Sequence, residues 1–197
     1  RQISQSIRLT IIMGLIFTSF FASCSHELAE LVYPGNDVGP ILRLLSLTGV
    51  FLYLQHTMLG ILNGLARESA ILINTLTGSV IRIAGIWFLM PVMGLEAYIY
   101  AVIAGSIITI AFNFREISKI TGISIDVGQW IVKPVSAALA GVLLIFIVRN
   151  VLINMSIPVR IYMVMIVMIA FMMFIAIYMV TGIIKKDDLK RWLVRKS

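Results

Sequence analysis

Six apolar runs dominate this chain, at 7–25, 38–65, 70–90, 95–117, 129–151 and 157–184, and little sequence is left between them. A helix needs about 20 predominantly apolar residues to cross a ~30 Å hydrocarbon core. None of the runs alternates polar and apolar residues as a barrel strand would, so each predicts a helix. A soluble core of the same size fails on composition. The 197 residues are 60% hydrophobic and 13% charged, with a mean hydropathy of +1.02, whereas soluble domains carry about 25% charged residues. The sequence therefore predicts an all-α integral membrane protein with six transmembrane helices over 1–184. A basic amphipathic tail over 185–197 follows, with Leu189, Trp192 and Leu193 on one face.

Cytoplasmic loops are enriched in Lys and Arg. With the N-terminus inside, most of the 16 basic residues fall on the inner side: Arg1, Arg8, Arg67, Arg115, Lys119, Lys133 and those of the tail. Arg43, Arg149 and Arg160 fall at outer span ends, together with the outer acids Glu27, Glu30, Asp37 and Glu96. The alternation holds for every loop. It predicts a multi-pass protein of the cytoplasmic membrane with both ends of the chain cytoplasmic, the tail lying on anionic lipid of the inner leaflet. The chain starts at Arg1, close to its first span, which suggests a piece of something longer.

Leu28, Leu31 and Val32 predict a short interfacial helix before the turn Pro34-Gly35-Asn36-Asp37. Trp130 reads as an interface anchor. Small residues recur at four-residue spacing in Thr10, Gly14, Thr18 and Ala22, in Ala101, Gly105, Thr109 and Asn113, and in the pairs Ser136–Ala140 and Ala137–Gly141. Such stripes let helix backbones approach closely in lipid, and they predict packing seams. The methionine-rich last run, apolar all round, reads as a peripheral, lipid-facing helix.

The least lipid-like stretch is 55–91. His56, Gly60, Asn63 and Arg67 follow one face of the second run, with Gln55 beside it. Asn74, Gly78 and Arg82 recur at four-residue spacing in the third, which is expected to stop at Pro91. A cation at that depth is expensive and usually has a partner. The short basic turn makes the two runs antiparallel neighbours, so their polar faces predict a shared wet seam or cavity lined by Arg82, Gln55, His56, Asn63 and Asn74. The alternatives are structural: Arg82 reaching for the interface or a backbone carbonyl, the others bonding between helices. No acid lies deep in any run, so Arg82 lacks an internal counter-ion. An anionic ligand, or a carboxylate elsewhere, would fill that role.

Enzyme chemistry has little support. His26 lies near Cys24 and Ser25 without a base-and-orienter arrangement. The two histidines, far apart, make no metal cluster, and the single cysteine makes no disulfide or zinc motif. No cofactor, metal or nucleic-acid partner is expected.

Several pieces, in this order, resemble one known family. They are Glu30-Leu31-Val32-Tyr33, Val38-Gly39-Pro40-Ile41-Leu42-Arg43-Leu44-Leu45, Leu52-Tyr53-Leu54-Gln55 through Gly60-Ile61-Leu62-Asn63-Gly64-Leu65, Gly78-Ser79-Val80-Ile81-Arg82 leading to Leu89-Met90-Pro91, and Asn113 with Lys119-Ile120-Thr121-Gly122. The chain is similar over 1–184 to the C-terminal part of the multidrug/oligosaccharidyl-lipid/polysaccharide (MOP) exporters. Within them it most resembles the stage V sporulation protein B-like polysaccharide-biosynthesis group, related to the MurJ lipid II flippases. It departs from the family pattern at Gly94-Leu95-Glu96-Ala97-Tyr98 and at Asn63-Gly64.

The resemblance implies the last six of about fourteen helices, with an N-terminal transmembrane lobe missing from this chain. It implies a flippase moving a lipid-linked, anionic cell-envelope precursor (for peptidoglycan or another polysaccharide) across the cytoplasmic membrane by alternating access. Arg82 would then face the cavity and attract the carrier's pyrophosphate. A multidrug exporter, and a non-transport scaffold in envelope or spore assembly, are the competing expectations.

Overall fold

The computed structural model describes residues 2–36, 38–123, 128–153 and 159–180. Among them it forms helices α1 (Gln2–Ser23), α2 (Ser25–Val32), α3 (Gly39–Gly64), α4 (Glu68–Met93), α5 (Leu95–Thr121), α6 (Lys133–Ile153) and α7 (Val159–Val180), and no strand. A π-helical turn, Gly128–Val132, leads into α6. Helices α1, α3, α4 and α5, and the segment Trp130–Leu152, are long and apolar enough to cross a membrane. The sixth expected run is represented by a shorter apolar stretch, Ile161–Ile177. This is the build of a multi-pass membrane protein. The ends of that sixth run and the tail over 185–197 lie outside the described residues.

Packing follows an order different from the chain. α4 lies on α5, α5 on α3, α3 on α1, and α1 on the α6–α7 pair. The expected stripes form the joints, except for Ser136–Ala140, which is exposed because α6 turns its Ala137–Gly141 side inward. Across α1 and α3, the hydroxyls of Thr10 and Thr57 share a 2.8 Å hydrogen bond, and Thr18 Oγ1 donates to the Ser46 carbonyl at 3.0 Å. Between them, a Cβ on Gly14 would come within 3.1 Å of Val50 Cα. Across α6 and α7, Gly141 faces the ring of Phe174 so closely that a side chain would collide with it.

Two apolar clusters result. One joins Ile12, Ile16 and Phe20 of α1 to Ile145 of α6 and to Ile166, Ala170 and Phe174 of α7. The other joins Ile7, Met58, Leu62, Ile117 and Trp130. Two expectations change here. Trp130 is buried among helix ends rather than displayed as an interface anchor. The last helix is only partly peripheral: Met168 and Met172 are exposed, while Ile166, Ala170 and Phe174 form a buried stripe.

The connections are tight. α2 forms as expected, although only Leu28 of its apolar stripe turns inward, and Leu31 and Val32 are exposed. At the following turn the Gly35 amide donates to Glu30 Oε1 at 3.2 Å. After α3, Arg67 and Ala66 amides bond back to the carbonyls of Leu62 and Asn63, both at 3.0 Å, which closes the helix end with Ala66 left-handed at φ 54°.

α4 does not stop at Pro91; it runs on to Met93 because a proline in the last turn removes a single helical bond. Gly94 alone then separates α4 from α5, at φ 60° and ψ −135°. Side chains with a Cβ are excluded from that backbone region. Gly94→Val is therefore expected to cost about 1–3 kcal/mol, seen as a lower thermal midpoint of the purified protein in detergent.

Candidate functional site

The polar face of α4 meets α5. Asn74, Gly78, Arg82 and Gly85 run down one helix, and Ala101, Gly105, Ser106, Thr109 and Asn113 run down the other. The contact is close because both sides are small. A Cβ on Gly78 would overlap Thr109 Oγ1 and lie 2.9 Å from the Gly105 carbonyl oxygen. A Cβ on Gly105 would lie 2.7 Å from the Gly78 carbonyl oxygen, and one on Gly85 would lie 2.9 Å from Ala101 Cβ. With no strong hydrophobic force between helices in lipid, such backbone approach is what holds them.

Two polar links cross the seam. Asn74 Nδ2 donates to Asn113 Oδ1 at 2.9 Å. Arg82 Nη2 donates to Ser106 Oγ at 3.4 Å, a long bond. Thr109 bonds within its own helix, donating to the Gly105 carbonyl at 2.9 Å. At a helical rise of ~1.5 Å per residue, Arg82 stands about 21 Å from the start of α4 and about 16 Å from its end. It is thus central in the helix.

The site is rich in donors and poor in acceptors. Arg82 Nε and Asn113 Nδ2 are buried without a hydrogen-bond partner among the described residues. Ser106 and Asn113 are fully buried, while Arg82 is half-buried. The ion pairs among the described residues are Lys119–Glu116 and Arg149–Glu27, and Arg82 belongs to neither. An unsatisfied guanidinium in apolar surroundings carries a large desolvation cost. Its planar fork matches carboxylate or phosphate oxygens. Beyond the seam, Leu76, Val80, Ile83 and Trp87 leave a broad exposed apolar surface on α4.

The sequence-predicted residues divide. Arg82 and Asn74 lie in the α4–α5 seam. His56 and Asn63 are exposed on α3, and Gln55 is half-buried there, with Oε1 buried and unpartnered among the described residues. The polar seam expected between the second and third runs is not the one that forms. Although a short turn joins them, α3 and α4 make slight contact, and α4 is committed to α5. The reason is shape: Gly78 and Gly85 fit Gly105 and Ala101. Sequence reasoning missed Ser106 as the partner of Arg82. The signal was its position seven residues before Asn113, which places the two on one side of α5.

The sequence also left Arg149 and Glu27 unpaired. Their 2.7 Å ion pair is largely buried, and Arg149 Nη2 also donates to the Ser23 carbonyl at 2.8 Å. Comparison of this chain with known protein families, with curated proteins and with solved structures finds no match.

Proposed function

We propose that this chain is part of a membrane flippase that carries a lipid-linked, anionic glycan precursor from the inner to the outer leaflet by alternating access. In this reading it is the last six helices of a MOP-type transporter of about fourteen, lying in the cytoplasmic membrane with both ends of the chain cytoplasmic. The observation that carries the reading is Arg82, a mid-helix cation with one long hydrogen bond, a buried unpartnered Nε and no carboxylate among the described residues. A diphosphate passing along α4 would supply the missing acceptors. A cation exporter would call instead for a deep free carboxylate. The most buried acid among the described residues, Glu27, stands on α2 beside Arg149.

The test is Arg82→Glu introduced at the chromosomal gene. The expected result is accumulation of the lipid-linked precursor on the inner leaflet, with outer-leaflet precursor reduced at least tenfold at equal protein level. Normal outer-leaflet precursor would make Arg82 a structural residue and remove the main support for the reading.

A further inference from the structure

The α6–α7 pair is attached to the rest of the molecule narrowly. Among the described residues, the backbone of neither helix approaches that of α3, α4 or α5. The pair is held by α1 and α2 and, at the start of α6, by the π-helical turn whose Trp130 is embedded with Ile7, Met58, Leu62 and Ile117. π-Helical turns are local departures from the α-helical ladder and recur at functional sites.

At the other end of α6, Leu152 and Tyr162 pack with Leu28 on the apolar cluster that includes Cys24, and the polar tie across it is ionic. The backbones of α2 and α6 do not approach each other, so the Arg149 side chain spans the gap. It grips Glu27 Oε1 at 2.7 Å and the Ser23 carbonyl at 2.8 Å. The grip is incomplete on both sides. Glu27 Oε2, Arg149 Nε and Ser23 Oγ are all buried without a partner among the described residues. A buried ion pair with unsatisfied atoms offsets little of its desolvation cost, and such pairs are better suited to specifying one arrangement than to maximising stability. Cys24, fully buried, lies in the chain between Ser23 and Glu27, the two residues that Arg149 holds.

We infer that Glu27–Arg149 is a releasable latch: with it closed the α6–α7 pair is pinned to the α1–α2 corner, and with it open the pair swings away about the π-helical turn and uncovers Cys24. The latch rests on this geometry alone and stands apart from the transport reading.

The chain carries its own reporter. Membranes containing the wild-type protein, Glu27→Gln, Arg149→Ala or the exchange Glu27→Arg with Arg149→Glu are treated with N-ethylmaleimide. Modification of the Cys24 peptide is then timed by mass spectrometry. The expected result is slow labelling in the wild type, at least tenfold faster labelling in Glu27→Gln and Arg149→Ala, and a return to within about threefold of wild type in the exchange. Glu27→Gln keeps an acceptor for Arg149 and removes only the charge, so it reports even if Arg149→Ala fails to accumulate.

A second reporter separates local opening from general loosening. It is Ile117→Cys in a Cys24→Ala background, placed in the other apolar cluster. Its labelling should be unchanged by Glu27→Gln. Unchanged Cys24 labelling in Glu27→Gln, or an equal rise at position 117, would overturn the latch.

Discussion

Gly105→Val is expected to detach α4 from α5 and to leave little folded protein in the membrane. The new Cβ would lie 2.7 Å from the Gly78 carbonyl oxygen and 3.2 Å from Arg82 Cβ. The first of these is backbone, which cannot turn aside. The helices must part, and overpacking of this kind costs about 1–3 kcal/mol or more. α4 has little else to hold it, because Gly78 is its only buried residue. Parting the seam also breaks the 2.9 Å Asn74–Asn113 bond and the reach of Arg82 to Ser106. Gly60→Val is the control. A Cβ there meets nothing within 4 Å, so the protein should accumulate and melt as the wild type does. Yield in membranes and thermal midpoint in detergent separate the two.

The four-residue recurrence of small side chains marked surfaces that pack, and the structure uses the stripes on α1 and α5 and the Ala137–Gly141 pair of α6 in that way, whereas Ser136 and Ala140 are exposed. Which surface meets which was not legible, because complementarity belongs to a pair of helices. The short turn at 65–67 suggested that α3 and α4 share their polar faces. Yet Gly78 and Gly85 fit Gly105 and Ala101, so α4 turns to its other chain neighbour.

Arg82 was legible as an isolated cation, since a charge in an apolar run is conspicuous at any resolution of the fold. Its partner Ser106 was not, since a serine beside a glycine looks like one more small residue. Glu27 and Arg149 looked like ordinary charges at span ends. Only the folded chain brings them within 2.7 Å.

Phe174→Ala should unfasten α7. The ring is 1% exposed, faces Gly141 and closes a cluster that also holds Ile166, Ala170 and Ile145. In lipid the transfer of an apolar side chain from water contributes little to helix association, so lost packing dominates. Truncation to Ala removes the ring from the gap that Gly141 leaves, and the cost is on the order of 2–4 kcal/mol. The expected readout is a markedly lower thermal midpoint, with faster proteolysis in the α6–α7 region. Met172→Ala, on the exposed side of the same helix, should change neither. Equal effects of the two would mean that α7 is held by its outer surface.

In the proposed transport cycle, Arg82 is the cation that an anionic lipid-linked substrate meets on its way across. The most direct measurement is outward movement of a diphosphate-linked lipid oligosaccharide in vesicles containing the purified full-length transporter of which, in this reading, the chain is part. Wild type, Arg82→Lys and Arg82→Ala would be compared at equal incorporation. Movement is expected for the wild type, a partial rate for Arg82→Lys because a point charge replaces the bidentate fork, and at least a tenfold loss for Arg82→Ala. Movement by Arg82→Ala at the wild-type rate would contradict this role.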